Sequence, residues 1–234
     1  MSIPGAASPL FLSTAAGGAA GGYAINRSLR FNSGDSAYLN RTPSSAGNRK
    51  TWTWAGWVKT NALGSEDNIF TSGSGADFTY LTITDNIGYA ITFARYTGSH
   101  TFRLSTTRVF RDPSAWYHIV LAVDTSQATD VNRVKLYVNG TQETVFTTAI
   151  YPDQNSEYEV NNTNDHRIGA RTGNYAAAGQ FDGYLADIHF IDGQALTPSD
   201  FGEYDDNNVW QPKEYAGTYG TNGFHLDFSD GADL

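Results

Sequence analysis

Val134, Leu136 and Val138 alternate with Lys135 and Tyr137 and run straight into Asn139-Gly140, a dipeptide suited to the positive φ angles of a two-residue type I′ hairpin. Apolar runs closed by turn chemistry recur along the chain and constrain its fold more than any other feature. Leu29 and Phe31 share one face, Tyr38 and Leu39 close a second strand, and Gly34-Asp35 marks the turn between them. Ile69-Phe70, Phe78 to Ile83, Gly88 to Tyr96 and Thr101 to Val109 form a series of short strands separated by Gly, Asn, Asp and Ser clusters. That punctuation belongs to meanders and Greek keys.

Ile119, Leu121 and Val123 interleave with Val120 and Ala122, so this strand is expected to be covered on both faces, at the centre of a sandwich. Trp52 and Trp54 share one strand face by period two and Trp57 lies on the other, an arrangement read as core packing before sugar stacking. Tyr184 to Ile191 is a further strand, turned by Asp192-Gly193, after which Thr197-Pro198-Ser199-Asp200 offers the N-cap, N1 proline and N3 acid of a short helix. The 234 residues, with 13 Phe, 14 Tyr and 5 Trp for burial and 24 Gly for turns, fit one large sandwich.

A net charge of −9 disfavours phosphate backbones and anionic membranes as partners. No apolar run approaches the roughly 20 residues of a membrane-spanning helix, and the first charged residue is Arg27, so the basic start of a secretory signal is not expected either. The chain has no cysteine, which excludes disulfides, thiolate metal sites and cysteine nucleophiles. Residues 1–26 carry no charge and combine Ile3 and Leu10-Phe11-Leu12 with an Ala/Gly tract. Such a segment cannot fold alone, and its sticky side chains predict an assembly arm that docks Ile3, Leu10, Phe11 and Leu12 on another subunit or protein.

Few residues suggest chemistry. Retaining glycosidases need two carboxylates about 5 Å apart, and the nearest pattern, Glu157 and Glu159, lies in the polar run DQNSEYEVNNTND and reads as a solvated loop or edge. No catalytic residue is expected. Asp153, Asn155 and Glu157 place oxygen ligands at alternate positions, but the twelfth position is Asn164, which excludes an EF-hand. Asn164, His166 and Tyr175 sit in one polar stretch and supply the minimum of a glycan contact, a stacking face with hydrogen-bonding groups beside it. His118 reads as a hydrogen-bonded strand histidine, and Arg103 and Arg108 as solvent-facing alternation residues.

Taken as a set, Phe31 to Leu39, Trp57-Val58-Lys59, Trp116-Tyr117-His118-Ile119, Tyr137-Val138-Asn139-Gly140 and Phe181 to Pro198 resemble the laminin-G-like branch of the concanavalin A-like lectin and glucanase jelly rolls. The resemblance implies an all-β, antiparallel jelly-roll β-sandwich with an extended N-terminal arm and one short helix. The division is then an arm at 1–26, the jelly roll at 27–203, and a C-terminal extension at 204–234 that packs on the sandwich or leads to further modules. Domains of that branch often carry a calcium ion at the sandwich rim, so the resemblance adds Asp182, Asp205 and Asp206 to Asp153, Asn155 and Glu157 as candidate calcium ligands.

The chain ends, Pro4-Gly5-Ala6-Ala7 and VWQPKEYAGTYGTNGFHLDFSD, together with SSAGNRKTWTWAGWVK, look like virion structural proteins of tailed bacteriophages. That likeness implies a non-enzymatic fibre or surface decoration protein, held by its arm to other virion proteins, assembled in the host cytoplasm and displayed on the virion surface. A homo-oligomer, with a trimer as the expected form, and a natural chain continuing past Leu234 follow from it. The alternative is a carbohydrate-binding, lectin-like module recognising host surface glycan. Neither reading involves nucleic acid or membrane insertion.

Overall fold

The computed structural model describes residues 22–61, 66–84, 88–173 and 179–229; the arm residues Ile3, Leu10, Phe11 and Leu12, and Tyr175, lie outside them. In chain order the strands are β1 (Leu29–Phe31), β2 (Leu39–Arg41), β3 (Thr51–Thr60), β4 (Glu66–Ser74), β5 (Asp77–Thr84), β6 (Ala90–Tyr96), β7 (His100–Val109) and β8 (Tyr117–Asp124). They continue with β9 (Val134–Val138), β10 (Thr141–Glu143), β11 (Phe146–Ile150), β12 (Asp165–Ile168), β13 (Gly183–Asp192), β14 (Gly202–Tyr204), β15 (Trp210–Pro212) and β16 (Phe224–Leu226). One seven-stranded sheet, called here the first, runs β1-β13-β3-β8-β9-β10 with β16 also on β13. The second runs β11-β7-β6-β5-β4-β12-β2, and β14 with β15 forms a separate ribbon. The fold is an antiparallel jelly-roll β-sandwich.

Strand period places the core. Trp52 and Trp54 point between the sheets and are 2% and 0% exposed, with Leu121, Leu136 and Phe190 from the same sheet and Phe70, Leu81 and Phe93 from the other. Trp57 takes the opposite face and packs on His118, ring centroids 5.0 Å apart. The apolar character of β8 on both faces has its explanation here: Ile119, Leu121 and Val123 enter the core, while Val120 joins Ala55, Ile191 and Phe201 in a second cluster outside the first sheet, packed against Leu196, Tyr215 and Tyr219. The C-terminal part of the chain therefore covers that outer face.

Turn chemistry behaves as expected at two points. Asn139 and Gly140 take φ angles of 49° and 78°, and the Asn139 side-chain oxygen accepts the His118 N–H at 2.8 Å, tying the hairpin back to β8. Thr197 and Asp200 form a capping box around Pro198. The helix they start is a single 3₁₀ turn, Pro198–Asp200, and similar turns occur at Ser33–Asp35 and Asp130–Asn132; three residues close i→i+3 bonds but are too few for an α-helix.

The polar run before β12 departs from the expectation of a solvated loop. Glu157 is exposed and pairs with Arg49 at 3.3 Å, yet Glu159 is only 7% exposed. Arg95 donates to both of its carboxylate oxygens, and the Thr79 hydroxyl donates at 2.6 Å, so the burial of its charge is compensated.

Candidate functional site

On β5 and β6, Leu81, Ile83, Ile91 and Phe93 enter the core, so Phe78, Tyr80, Ala94 and Tyr96 emerge on the outer face of the second sheet, where they form their own cluster. Phe78 lies 5.2 Å from Tyr80 and 5.7 Å from Tyr96, centroid to centroid. His100, exposed at the start of β7, stands edge-on to Tyr96 at 5.3 Å. Burial pushes the Tyr80 hydroxyl up to about 12, and burial followed by the charge of Arg103 lowers the proton affinity of His100. At neutral pH the phenol is therefore protonated and the imidazole neutral, and Tyr80 Oη and His100 Nε2 share a hydrogen bond of 2.8 Å.

Charged groups border this aromatic shelf. The Arg171 guanidinium lies over Phe78 and Tyr80 at 5.4 and 5.8 Å and forms an ion pair with Glu66. Arg103 donates to the Ser105 hydroxyl at 3.1 Å and, among the described residues, forms no ion pair. Phe78 and Tyr80 are buried, 3% and 7% exposed, so the accessible groups are the half-buried Tyr96 ring, the half-buried Arg103 guanidinium and the exposed His100 imidazole.

A second concavity is chemically different. A cavity of about 370 Å³ lies between β2 and β12 on one sheet and β16 on the other, lined chiefly by Leu39, Phe70, Ile168, Phe190, Phe224 and Leu226. Sugar hydroxyls placed against that wall would lose hydrogen bonds to water without replacement. His166 faces this cavity, with Nε2 accepting from the Asn161 N–H at 2.9 Å and Nδ1 donating to the Asn164 carbonyl at 2.8 Å. Both ring nitrogens hold the loop, and burial lowers the proton affinity of the ring.

The acidic residues singled out in the sequence are dispersed. Asp182 pairs with Arg30 at 3.2 Å and accepts from the Ser33 hydroxyl. Asp205 accepts the N–H groups of Asn207 and Val209 in its own turn. Asn155 takes a left-handed turn conformation, φ 59°, Asp153 and Asp206 are exposed, and Glu157 faces Arg49 and Lys50. Among the described residues the one group of nitrogen and carboxylate ligands that converges is Asp187, His189 and His225, whose ligand atoms all lie within 4.8 Å of one another.

That group forms where two edge strands meet. β1 pairs with β13 over Gly183–Leu185 and β16 pairs with it over Ile188–Phe190, and the register of β13 against β3 shifts between Ala186 and His189. Asp187 occupies the shift with φ 49°, a left-handed conformation that Asp tolerates better than most residues. Its Oδ1 lies 2.7 Å from His225 Nε2 and accepts the Tyr23 hydroxyl at 2.7 Å. Burial works to raise its carboxyl group, but interactions with His189 and His225 outweigh that and hold it well below the usual carboxylate range. Asp and His inside the apolar run from Tyr184 to Ile191 were the signal in the sequence; neither was read as a site. The alternating aromatics at 78, 80 and 96 were likewise read only as strand.

His118, on the outer face of the first sheet, is a structural histidine as expected. It is 1% exposed and its Nδ1 accepts the Trp210 indole N–H at 3.0 Å. Burial pushes it down to about 3. An unfolded histidine titrates near 6.5, so between these values the unfolded chain takes up a proton that the folded chain does not. The stability is complete above about pH 6.5 and declines as the pH falls, by about 2 kcal/mol at pH 5. His166 and His189, lowered in the same direction by burial, add to the slope. Thermal unfolding should give a Tm roughly 4–8 °C lower at pH 5 than at pH 7.5, with a shallower slope in His118→Gln; an unchanged slope in that variant would contradict the assignment.

A family model described as the concanavalin A-like lectin/glucanases superfamily matches residues 31–200. The chain matches no curated protein sequence. Among solved structures, domain 4 of an extracellular arabinanase from Geobacillus stearothermophilus, in complex with arabinotriose, is similar at 18% identity and a TM-score of 0.48, over 65% of each chain. A heptameric SAP-like pentraxin from Limulus polyphemus is similar at 15% identity and a TM-score of 0.45, over 68% of this chain and 71% of that one. The tailspike protein 2 of an Escherichia coli O157:H7 bacteriophage matches at 15% identity and a TM-score of 0.48, over 74% of this chain. The chain spans just under two thirds of the arabinanase domain and 23% of the tailspike.

Proposed function

Because the chain belongs to the concanavalin A-like lectin/glucanase superfamily, we propose that it is a carbohydrate-binding module whose glycan site is the aromatic shelf on the outer face of the second sheet. The observation that carries this reading is the convergence of Tyr96, His100 and Arg103 at the surface above the buried Tyr80, which meets the two requirements of a sugar site. Aromatic carbon faces receive the C–H side of a pyranose ring, and nearby nitrogen donors receive its hydroxyls. Arg103 is suited to that role because no carboxylate competes for it among the described residues.

The reading is of a binding module without hydrolytic chemistry. Glu66, the acid beside the shelf, is engaged by Arg171, and Glu159 is withdrawn into its pair with Arg95. Display on a virion surface, in a trimer held to other virion proteins, belongs to the same reading and rests on the resemblance of the chain ends. Symmetric copies would convert weak single-site affinity into avidity greater by roughly 10²–10⁴.

Glycan profiling followed by calorimetry on the best ligand tests the proposal, with and without calcium. Arg103→Ala and Tyr96→Ala are each expected to weaken binding at least about tenfold, which corresponds to about 1.4 kcal/mol, while leaving the Tm within a few degrees. Absence of any glycan ligand, or full affinity in both variants, would refute it.

A further inference from the structure

His189 presents an unusual electrostatic arrangement. The residue is 2% exposed, its Nε2 is 3.4 Å from Asp187 Oδ2, and that nitrogen makes no hydrogen bond. Its other nitrogen, Nδ1, lies 2.9 Å from the Tyr219 hydroxyl. In the tautomer whose Nδ1 accepts the Tyr219 hydroxyl, Nε2 turns its proton toward Asp187 Oδ2, in keeping with the lowered carboxyl group, and a metal ion bound there takes the place of that proton. His225 directs its own Nε2 at the same carboxylate, and the two imidazoles are stacked at 4.2 Å with planes 8° apart. Two nitrogen atoms and a carboxylate thus face one small volume from β13 and β16.

We propose that Asp187, His189 and His225 bind a divalent transition-metal ion of the zinc class. The donor set decides the class: two imidazole nitrogens with one carboxylate suit zinc and its neighbours, whereas calcium and magnesium take oxygen ligands. Size agrees as well. Ligand atoms around tetrahedral zinc stand on the order of 3.3 Å apart, close to the spacing of a group whose atoms lie within 4.8 Å; because the imidazole lone pair lies in the ring plane and the two rings are stacked, the more exposed His225 ring turns out of the stack to close on the ion. The Tyr219 hydroxyl holds His189 Nδ1, the outer-shell contact that orients a ligating imidazole. Tyr23, already on Asp187, or water takes the fourth position. The side chain of His225 is 30% exposed and gives the ion its way in. Bound there, the metal joins the N-terminal segment, the middle of β13 and β16, so it stabilises the C-terminal strand on the sheet edge. This inference is independent of the glycan site, which lies on the other sheet.

The test uses the full chain, stripped with chelator and titrated at pH 7.5 with zinc, with calcium and magnesium as controls, and separately with cobalt(II) to read the d–d absorption. The expected result is one zinc per chain, a Tm higher by about 5–10 °C at roughly 100 times the Kd, an intense tetrahedral cobalt band, and no comparable shift with calcium or magnesium. Asp187→Asn, which keeps a residue tolerant of the left-handed backbone, and His225→Ala, on the exposed side, should each weaken binding more than about tenfold with native circular dichroism. Should Asp187→Asn fail to fold, His225→Ala and the wild-type cobalt spectrum still decide. No zinc shift and no tetrahedral band, or unchanged affinity in the folded variants, would overturn the proposal.

Discussion

Glu159→Ala should lower the Tm by roughly 6–12 °C, whereas Glu157→Ala, two residues away, should change it by less than about 2 °C. The contrast follows from what each carboxylate touches. The Glu159 side chain is 9% exposed and receives Arg95 in a forked pair, Nε at 2.9 Å and Nη2 at 2.6 Å from Oε1, with the Thr79 hydroxyl on Oε2. Its backbone carbonyl also accepts the Ser72 hydroxyl at 2.9 Å. Removing the carboxylate leaves a guanidinium and a hydroxyl inside the sandwich with no acceptor, at a cost of about 3–5 kcal/mol for a fully buried pair. The lower end applies, because the Arg95 side chain keeps 18% exposure and Asp77 lies 3.9 Å away. Glu157 pairs only at the surface, where such bridges contribute about 0–1 kcal/mol. Equal Tm changes in the two variants, measured by thermal and urea unfolding, would mean that the Arg95 pair does not hold the fold.

Asp192→Ala is the second large effect, about 3 kcal/mol or more and so roughly 6 °C or more in Tm. Asp192 is 7% exposed and accepts the Asn48 N–H at 2.8 Å, the Asn161 side-chain amide at 2.6 Å and the Asn222 N–H at 3.0 Å. Asn222 in turn donates to Asn161 at 3.0 Å and to the Ser45 carbonyl at 2.9 Å. Three loops from distant parts of the chain thus meet at one carboxylate at the end of β13. Without it, the buried donors of Asn161 and Asn222 and the N–H of the exposed Asn48 lose their acceptor together, and the loops gain freedom in concert. Amide exchange at Gly47, Asn161 and Asn222 should accelerate well beyond that of β8; exchange that quickens equally everywhere, or a Tm loss under 2 °C, would contradict this role.

How far the sequence can be read depends on whether a feature is local. The type I′ turn at Asn139-Gly140, the capping box at Thr197 and the two faces of Trp52, Trp54 and Trp57 are each written within a few residues, and each stands as expected. Even the two-sided burial of β8 was legible, although what covers it was not: Phe201, Tyr215 and Tyr219 arrive from a segment more than 70 residues further on. The candidate sites were much less legible. Asn164 and His166 looked like exposed loop residues, yet His166 uses both nitrogens to hold its loop. Glu159 looked solvated because Arg95 and Thr79 are 64 and 80 residues away.

Strand period and turn chemistry, set by backbone sterics and the burial of alternate side chains, were determined by the sequence itself and led to an antiparallel all-β sandwich. Only the tertiary structure decided which polar groups leave water together. Tyr23, Asp187 and His225 are brought into contact across separations of 164 and 38 residues. Such convergence depends on which strands become neighbours at a sheet edge and where a bulge shifts the register, and no short window of sequence carries that information.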